Sequence, residues 1–194
     1  MNSHVIHPAG PEDSERSIAT LVMAFSNDPF VRWMMPEPNQ YLTYFAAVVR
    51  LFAGAAFEAG SAFRTADYMA AALWLPPGVH GDSEALGELM QIAISAEVLD
   101  DAFGVLEQMG HSHPEEDHWY LPMIGVDPAR QGMGYGSALL AHSLEACDKL
   151  HLPAYLESSN PRNIALYERY GFKVINEIQV GSSPPISPML REAR

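Results

Sequence analysis

A glycine-rich loop between a predicted strand and a predicted helix constrains the fold of this chain more than any other feature. Residues 118–126 are mostly apolar and indicate a strand, and residues 132–150 indicate a helix. Between them Gly132, Gly134 and Gly136 recur at every second position. Glycine lets the backbone turn tightly, and the start of a helix offers N–H donors to an anion. The pattern favours a phosphate site, with a glycine-rich turn that binds nothing as the alternative.

Two other phosphate-binding loops do not fit this sequence. A dinucleotide-binding fingerprint needs G-x-G-x-x-G spacing and an acidic residue further on, and neither is present here. A Walker loop needs Gly-Lys followed by Ser or Thr, which does not occur. The loop must therefore belong to another class of anion site.

The rest of the chain alternates between predicted helices and strands. With 194 residues it fits one domain of mixed α/β class. Apolar periodicity and Gly or Pro punctuation predict helices over residues 14–25, 40–59, 83–109 (one helix or two) and 160–170, and strands over residues 4–7, 63–65, 68–75, 153–157, 172–180 and 186–191.

The charge distribution restricts the ligand. The chain has 24 acidic and 11 basic residues, and no Lys or Arg lies between Arg64 and Arg130. This argues against a nucleic-acid binder and favours a cationic ligand for residues 1–120, although solubility alone would also explain it. The one cysteine, Cys147, excludes an internal disulfide and is predicted to lie in the core. No apolar run reaches membrane-spanning length, so we expect a cytoplasmic protein with no membrane contact.

Two motifs resemble a known family. Gln131-x-x-Gly134-x-Gly136 resembles the coenzyme A signature of the GNAT N-acetyltransferases, and residues 160–172 resemble the asparagine motif that follows it. More narrowly, residues 118–121 and 72–78 are similar to puromycin N-acetyltransferase-like proteins. The resemblance implies a single domain over residues 1–194. It also implies a central mixed, mostly antiparallel twisted sheet of six or seven strands, flanked by helices and splayed at the coenzyme site.

The resemblance also implies acetyl-CoA as cosubstrate and no metal. Residues 121–194 would bind the coenzyme and residues 1–120 would shape the acceptor site. Gly125 suits a bulge or the close approach of a ligand, and the N–H near Ile124 would stabilise the carbonyl oxygen. The coenzyme-binding residues implied by the motifs are Met123, Ile124, Gly125, Val126, Arg130, Gln131, Gly132, Met133, Gly134, Tyr135, Gly136, Ser137, Asn160, Asn163 and Tyr167.

Two side chains are the catalytic candidates. By resemblance Tyr167 lies near the coenzyme sulfur, where its phenol could protonate the leaving thiolate; a packed aromatic is the alternative. Glu157 is the first candidate for the base that deprotonates the amine, followed by Tyr120 and His118. A hydrogen-bonded glutamate without a catalytic role is the alternative for Glu157.

The resulting functional hypothesis is acetyl transfer to a primary amine of a small cationic molecule, resembling an antibiotic or a polyamine. A protein N-terminus or lysine is the alternative acceptor, and a non-catalytic acyl-CoA-binding module is the alternative class. We expect a monomer or homodimer. The histidines of residues 111–118 lack helical metal-ligand spacing and are discounted as a metal site. Apolar side chains that could form core or acceptor pocket are Trp33, Met34, Met35, Phe45 and Phe52.

Overall fold

A computed structural model describes residues 4–194. Among these residues, no helix combines the length and the apolar character required to cross a membrane. The helices are α1 (Ser14–Ala24), α2 (Pro29–Met34), α3 (Pro38–Ala53), α4 (Ala55–Glu58), α5 (Ser83–Ala93), α6 (Leu99–Ser112), α7 (Tyr135–Leu150) and α8 (Ile164–Arg169). The strands are β1 (Ile6–Ala9), β2 (Ala62–Thr65), β3 (Ala70–Leu75), β4 (Trp119–Val126), β5 (Ala154–Ser158), β6 (Lys173–Val174) and β7 (Ser187–Arg191).

The strands form one sheet in the order β1-β2-β3-β4-β5-β7-β6. The pair β4–β5 is parallel and the other pairs are antiparallel. The predicted mixed, mostly antiparallel sheet is therefore confirmed. The sheet runs without a break across residue 120, because β4 lies between β3 and β5.

The sheet splays open between β4 and β5. These strands pair only at Trp119 with Ala154 and at Tyr120 with Tyr155. On its other side β4 keeps its pairing with β3, but the register shifts so that Leu121 and Pro122 lie opposite one residue of β3. Such a bulge bends the strand and increases its twist. Residues 123–126 are consequently paired with β3 but not with β5, which gives the predicted splay.

Alternate residues of β3 face two apolar layers. Ala71, Leu73 and Leu75 pack into a core formed with helices α1, α2, α3, α5 and α6. Ala70, Ala72 and Trp74 face the opposite way, into a core formed with α7 and α8. This period of two is the signature of a strand buried on both faces. The splayed end of β4 and β5 therefore lies between two helical layers.

Three predicted elements differ from the structure. The helix over residues 40–59 is two helices, α3 and α4, which meet at Gly54, and it stops before Gly60, whose φ is +67°. Residues 83–109 contain two helices, α5 and α6, with α6 continuing to Ser112. The strand over residues 172–180 is reduced to β6 and one bridge between Ile178 and Ile186. Residues 173–177 are exposed at the sheet edge, so no buried face extends the pairing.

Candidate active site

The glycine loop is a turn that only glycine adopts without strain. The Asp127 carboxylate accepts a hydrogen bond from the N–H of Ala129 at 2.8 Å and starts a short 3₁₀ helix after β4. Gly132 and Gly134 then take φ values of +75° and +91°. A side chain at either position would cost about 1–2 kcal/mol. The spacing of the glycines thus reflects backbone geometry.

The start of α7 presents free N–H groups. The Gly134 carbonyl accepts the first bond of the helix from Ala138 at 3.0 Å, and no side chain caps this end. Among the described residues, no group accepts a hydrogen bond from the backbone N–H groups of Tyr135, Gly136 and Ser137. These groups and the helix dipole fit an anion such as a pyrophosphate.

Some predicted coenzyme residues use their side chains elsewhere. The Tyr135 hydroxyl donates to Asp67 at 2.9 Å, and the Gln131 amide donates to the Val126 carbonyl at 3.3 Å. The Asn160 side chain accepts from the N–H of Arg162 at 3.1 Å and caps the short 3₁₀ helix after β5. These three residues can therefore serve a coenzyme only through other atoms, chiefly their backbone.

Gly125 has a different role from the one expected. A Cβ at this position would lie 2.6 Å from the Cβ of Ala24 on α1, closer than real Cβ contacts come. Gly125 is therefore required for packing of α1 against β4. The bulge lies at Leu121 and Pro122 instead, so the expectation of a bulge at Gly125 is wrong.

Glu157 is a buried carboxylate with one oxygen, Oε1, that accepts no hydrogen bond among the described residues. It lies near the end of β5, and its side chain is 3% exposed. Its Oε1 atom is buried and accepts no hydrogen bond among the described residues; the nearest cationic partner is His113 Nε2 at 3.4 Å. Burial first and the Glu157 charge second raise the pKa of Tyr120 and Tyr155. Both phenols therefore stay neutral at pH 7.

Glu157 lines a cavity of about 100 Å³ with apolar walls. Met34, Met35, Phe45 and Phe52 contribute to these walls, as the sequence suggested. Trp33 does not; its indole N–H donates to Ser182 at 3.2 Å. Among the described residues that line the cavity, Glu157 is the only charged one. The cavity thus has apolar walls and a single carboxylate.

Asp28 is a site residue that sequence reasoning missed. Its side chain accepts from the N–H groups of Phe30 and Val31, each at 3.1 Å, and from the Ser159 hydroxyl at 2.7 Å. It therefore caps α2 and ties it to the end of β5. Burial raises the pKa of Asp28. The signal was present, because an Asp before a Pro that opens an apolar segment is an N-cap pattern.

Tyr167 is buried on α8, at 5% exposure. Burial first and the Asp28 carboxylate second raise its pKa above that of a free phenol. It therefore stays protonated at neutral pH, which a proton donor requires. Asn163, by contrast, is exposed at the junction of the short helix and α8. Glu157 and Ser159, near the end of β5, line the same cavity, and Ser159 is bonded to the Asp28 carboxylate that raises the pKa of Tyr167.

Cys147 is fully buried in the core that α7 forms with the sheet, as predicted. Burial raises the pKa of its thiol to about 12, so it is not a nucleophile at neutral pH. Among residues 4–194, no three His, Cys, Asp or Glu side chains form a group that could hold a metal ion.

Comparison with known proteins agrees with this geometry. Residues 86–172, which span α5 to the end of α8, match the model of the Acetyltransferase (GNAT) family. The predicted resemblance to the GNAT acetyltransferases is thereby confirmed. The predicted enzyme class, an acyltransferase, is thereby confirmed, and the family's cosubstrate is acetyl-CoA.

Similar proteins span almost the whole chain. An uncharacterised N-acetyltransferase of Schizosaccharomyces pombe is 28% identical over 93% of this chain and 80% of its own length. A Corynebacterium glutamicum structure, titled histone acetyltransferase HPA2 and related acetyltransferase, is 25% identical with a TM-score of 0.70, covering 99% of this chain and 97% of that one. A polyamine N-acetyltransferase of Drosophila melanogaster shares the fold, with a TM-score of 0.61, 13% identity and coverage of 97% and 99%.

Proposed function

We propose that this enzyme transfers an acetyl group from acetyl-CoA to the primary amine of a small molecule. The observation that carries the proposal is the buried Oε1 atom of Glu157, which accepts no hydrogen bond among the described residues, at the splayed end of β4 and β5. A buried carboxylate oxygen without a donor is costly, and an ammonium group in the cavity would supply the missing donor.

The cavity supports an acceptor with one cationic nitrogen on an apolar body. Its walls contain Phe and Met side chains and one charged group, Glu157. The acidic residues among residues 1–120 do not line this cavity. A second ammonium group inside it would be desolvated without a partner, which is unfavourable. The acidic surface would then attract cations to the protein, whereas the cavity selects a monoamine over a polyamine.

Each site residue has a defined task in this proposal. The free N–H groups at the start of α7 would hold the pyrophosphate of acetyl-CoA, which supplies the acetyl thioester. Glu157 accepts a proton from the ammonium group, so that the neutral amine attacks the carbonyl carbon. An N–H near Ile124 on the unpaired edge of β4 stabilises the carbonyl oxygen. Tyr167, held protonated by burial, gives its hydroxyl proton to the leaving sulfur.

Thiol release from acetyl-CoA, measured with a panel of amines, tests the proposal. The panel includes arylalkyl monoamines, puromycin, spermidine, an aminoglycoside and a short peptide with a free N-terminus. We expect kcat/KM for the best apolar monoamine to exceed that for spermidine by about tenfold or more. Preference for the peptide would instead support a protein acceptor, and coenzyme binding without thiol release would support a non-catalytic module.

A matched pair of variants identifies the base. Glu157→Gln removes the proton acceptor and should lower kcat/KM by about 10²–10⁴-fold. Glu177→Gln, at an exposed position outside the cavity, should leave it unchanged. Equal activity in the two variants would contradict the role of Glu157.

A further inference from the structure

Three titratable side chains form a continuous line from the acceptor cavity towards the surface. Glu157 Oε1 lies 3.4 Å from His113 Nε2. His113 Nδ1 lies 3.0 Å from His118 Nε2, and His118 Nδ1 lies 2.7 Å from the backbone carbonyl of Glu116. His113 directly follows α6, and His118 directly precedes β4. Both histidines therefore lie next to the ends of secondary-structure elements, whose positions are fixed by the fold.

The Glu116 carbonyl determines where the protons lie along this line. A carbonyl oxygen only accepts, so neutral His118 carries its proton on Nδ1 and leaves a lone pair on Nε2. His113 must then donate from Nδ1 to that lone pair. This leaves the lone pair of His113 Nε2 facing the Glu157 carboxylate. Two acceptors face each other, which accounts for the 3.4 Å separation and for the missing hydrogen bond at Glu157 Oε1.

Exposure increases along the line. The side chain of Glu157 is 3% exposed and that of His113 is 28% exposed, while His118 is half-buried next to three exposed acidic residues. His113 also lies in the wall of a second cavity of about 460 Å³, next to the acceptor cavity. A proton that reaches the histidines is therefore close to solvent.

Two tyrosines fix the ring of His113. The rings of Tyr120 and Tyr155 each lie 4.5 Å from it, between centroids. Burial raises the pKa of both phenols, so they remain neutral beside the line. The groups that face His113 are thus Glu157 and Tyr155 from β5, Tyr120 from β4 and His118 before β4; His80 and Asp82 share the second cavity.

We propose that His113 and His118 form a relay that carries the acceptor's proton from Glu157 to water. An ammonium group has three N–H bonds and the product amide has one, so two protons leave the nitrogen. One replaces the proton that Tyr167 gives to the coenzyme sulfur. The other passes from Glu157 to His113 Nε2, His113 passes its Nδ1 proton to His118 Nε2, and His118 loses its Nδ1 proton to water. This restores the Glu157 carboxylate, and proton exchange with water returns both rings to their Nδ1–H tautomers before the next turnover.

The inference rests on the proposed function but can be tested without it. Histidine ¹⁵N spectra of the free protein report the tautomer of each ring and the contacts of each ring nitrogen. We expect neutral His113 and His118 to carry the proton on Nδ1. In Glu157→Gln the ¹⁵N chemical shift of His113 Nε2 should change, because the carboxylate that lies 3.4 Å from this nitrogen is gone. An unchanged Nε2 shift, or the opposite tautomers, would overturn the relay.

His118→Gln tests the line from its other end and remains informative if Glu157→Gln does not fold. It removes the imidazole that accepts from His113 Nδ1, so the ¹⁵N chemical shift of His113 Nδ1 should change. His111, which is exposed and outside the line, is the internal reference in every spectrum. Movement of His111 together with His113 would indicate a general structural change and would contradict the specific coupling.

Kinetics test the relay in turnover. His113→Gln should lower kcat about tenfold at pH 7 and change the acceptor KM less than about twofold, because His113 does not line the acceptor cavity. The deficit should shrink as pH rises, and added imidazole should restore part of it. His111→Gln should match the wild type.

A loss of activity confined to KM, or one that neither imidazole nor higher pH relieves, would overturn the relay. Wild-type protein that releases no thiol with any amine would refute the proposed function, while the spectra would still decide the coupling.

Discussion

Burial gives Tyr167 and Glu157 opposite proton chemistry at one end of β5. Tyr167 has its pKa raised by burial and by Asp28, so its phenol holds its proton. Glu157 has no donor at Oε1 among the described residues and offers a lone pair to whatever enters the cavity. One side chain is thus set to give a proton and the other to take one. The residue types were predictable from sequence, but the environments that assign the roles were not.

Replacing Tyr167 with Phe should lower kcat by about 10²-fold, because the thiolate would leave without a proton donor. The ring would still pack edge-on against Phe172, whose centroid is 6.2 Å away, so the melting temperature should change little. Tyr44→Phe, on α3 outside both cavities, is the control and should keep full activity. Because the pKa of Tyr167 is raised, its ionisation should not limit wild-type activity up to about pH 10. Unchanged kcat in Tyr167→Phe would disprove the proton-donor assignment.

Asp28 shows why some site residues escape prediction at this scale. In the sequence it stands with Asn27 and Pro29, a pattern that also marks the end of a helix. In the structure the same carboxylate caps α2 and receives the Ser159 hydroxyl from 131 positions away. A local sequence pattern can identify Asp28 as a helix cap, but only the fold brings Ser159 and Tyr167 near it.

At the scale of elements, the loop and the start of α7 were predicted well because their signals are local. Glycines with positive φ and a polar turn between apolar segments specify the geometry over a few residues. The splay was implied only by family resemblance. Its physical cause is a bulge where Leu121 and Pro122 oppose one residue of β3, and Pro122 has no N–H for the ladder. Edge strand β6 was overestimated because its exposure depends on the rest of the sheet.

Gly134→Ala tests whether the loop geometry serves the coenzyme. The alanine would be strained at φ +91°, which should cost about 1–2 kcal/mol of stability and raise the KM for acetyl-CoA several-fold. Gly60→Ala is the matched control: its φ is +67°, and a Cβ there meets nothing within 4 Å. It should lose similar stability and keep the KM. Equal KM effects in the two variants would mean that strain alone acts, and that the loop does not hold the coenzyme.

Over the whole molecule, the net charge of −13 has two separable consequences. It gives the protein an acidic surface that attracts cations, as the sequence suggested. The acidic residues that produce this net charge do not line the acceptor cavity, apart from Glu157, which is the only charged lining residue among those described. Composition therefore predicts an acidic surface but not the lining of the cavity, and the cationic ligand stays a prediction. The division into an acceptor-shaping part and a coenzyme-binding part stays a prediction.

Acid stability depends on carboxylates that join distant parts of the sheet. Asp13, which follows β1, is buried and accepts from the Tyr68 hydroxyl, from Arg64 Nε at 3.0 Å and from the Gly10 N–H at 3.3 Å. The Tyr68 hydrogen bond is the main cause that lowers the pKa of Asp13 below its usual value. A carboxyl group whose pKa is lower in the folded state stabilises the protein above the unfolded pKa of about 4, and this contribution is lost as pH falls.

Asp13→Asn should therefore reduce the free energy of unfolding by about 1.5–3 kcal/mol at pH 7, because charge-assisted hydrogen bonds are lost from a buried site. The difference from wild type should shrink as pH falls below about 4, since protonated Asp13 no longer accepts as an anion. Urea unfolding at several pH values measures both effects.

Glu15→Gln is the control: Glu15 pairs with Arg50 at 2.8 Å, but the two side chains are 80% and 46% exposed. Such a pair contributes about 0–1 kcal/mol. A deficit in Asp13→Asn that is constant from pH 7 to pH 3 would show that packing, and not the charge of Asp13, stabilises this junction of β1 and β2.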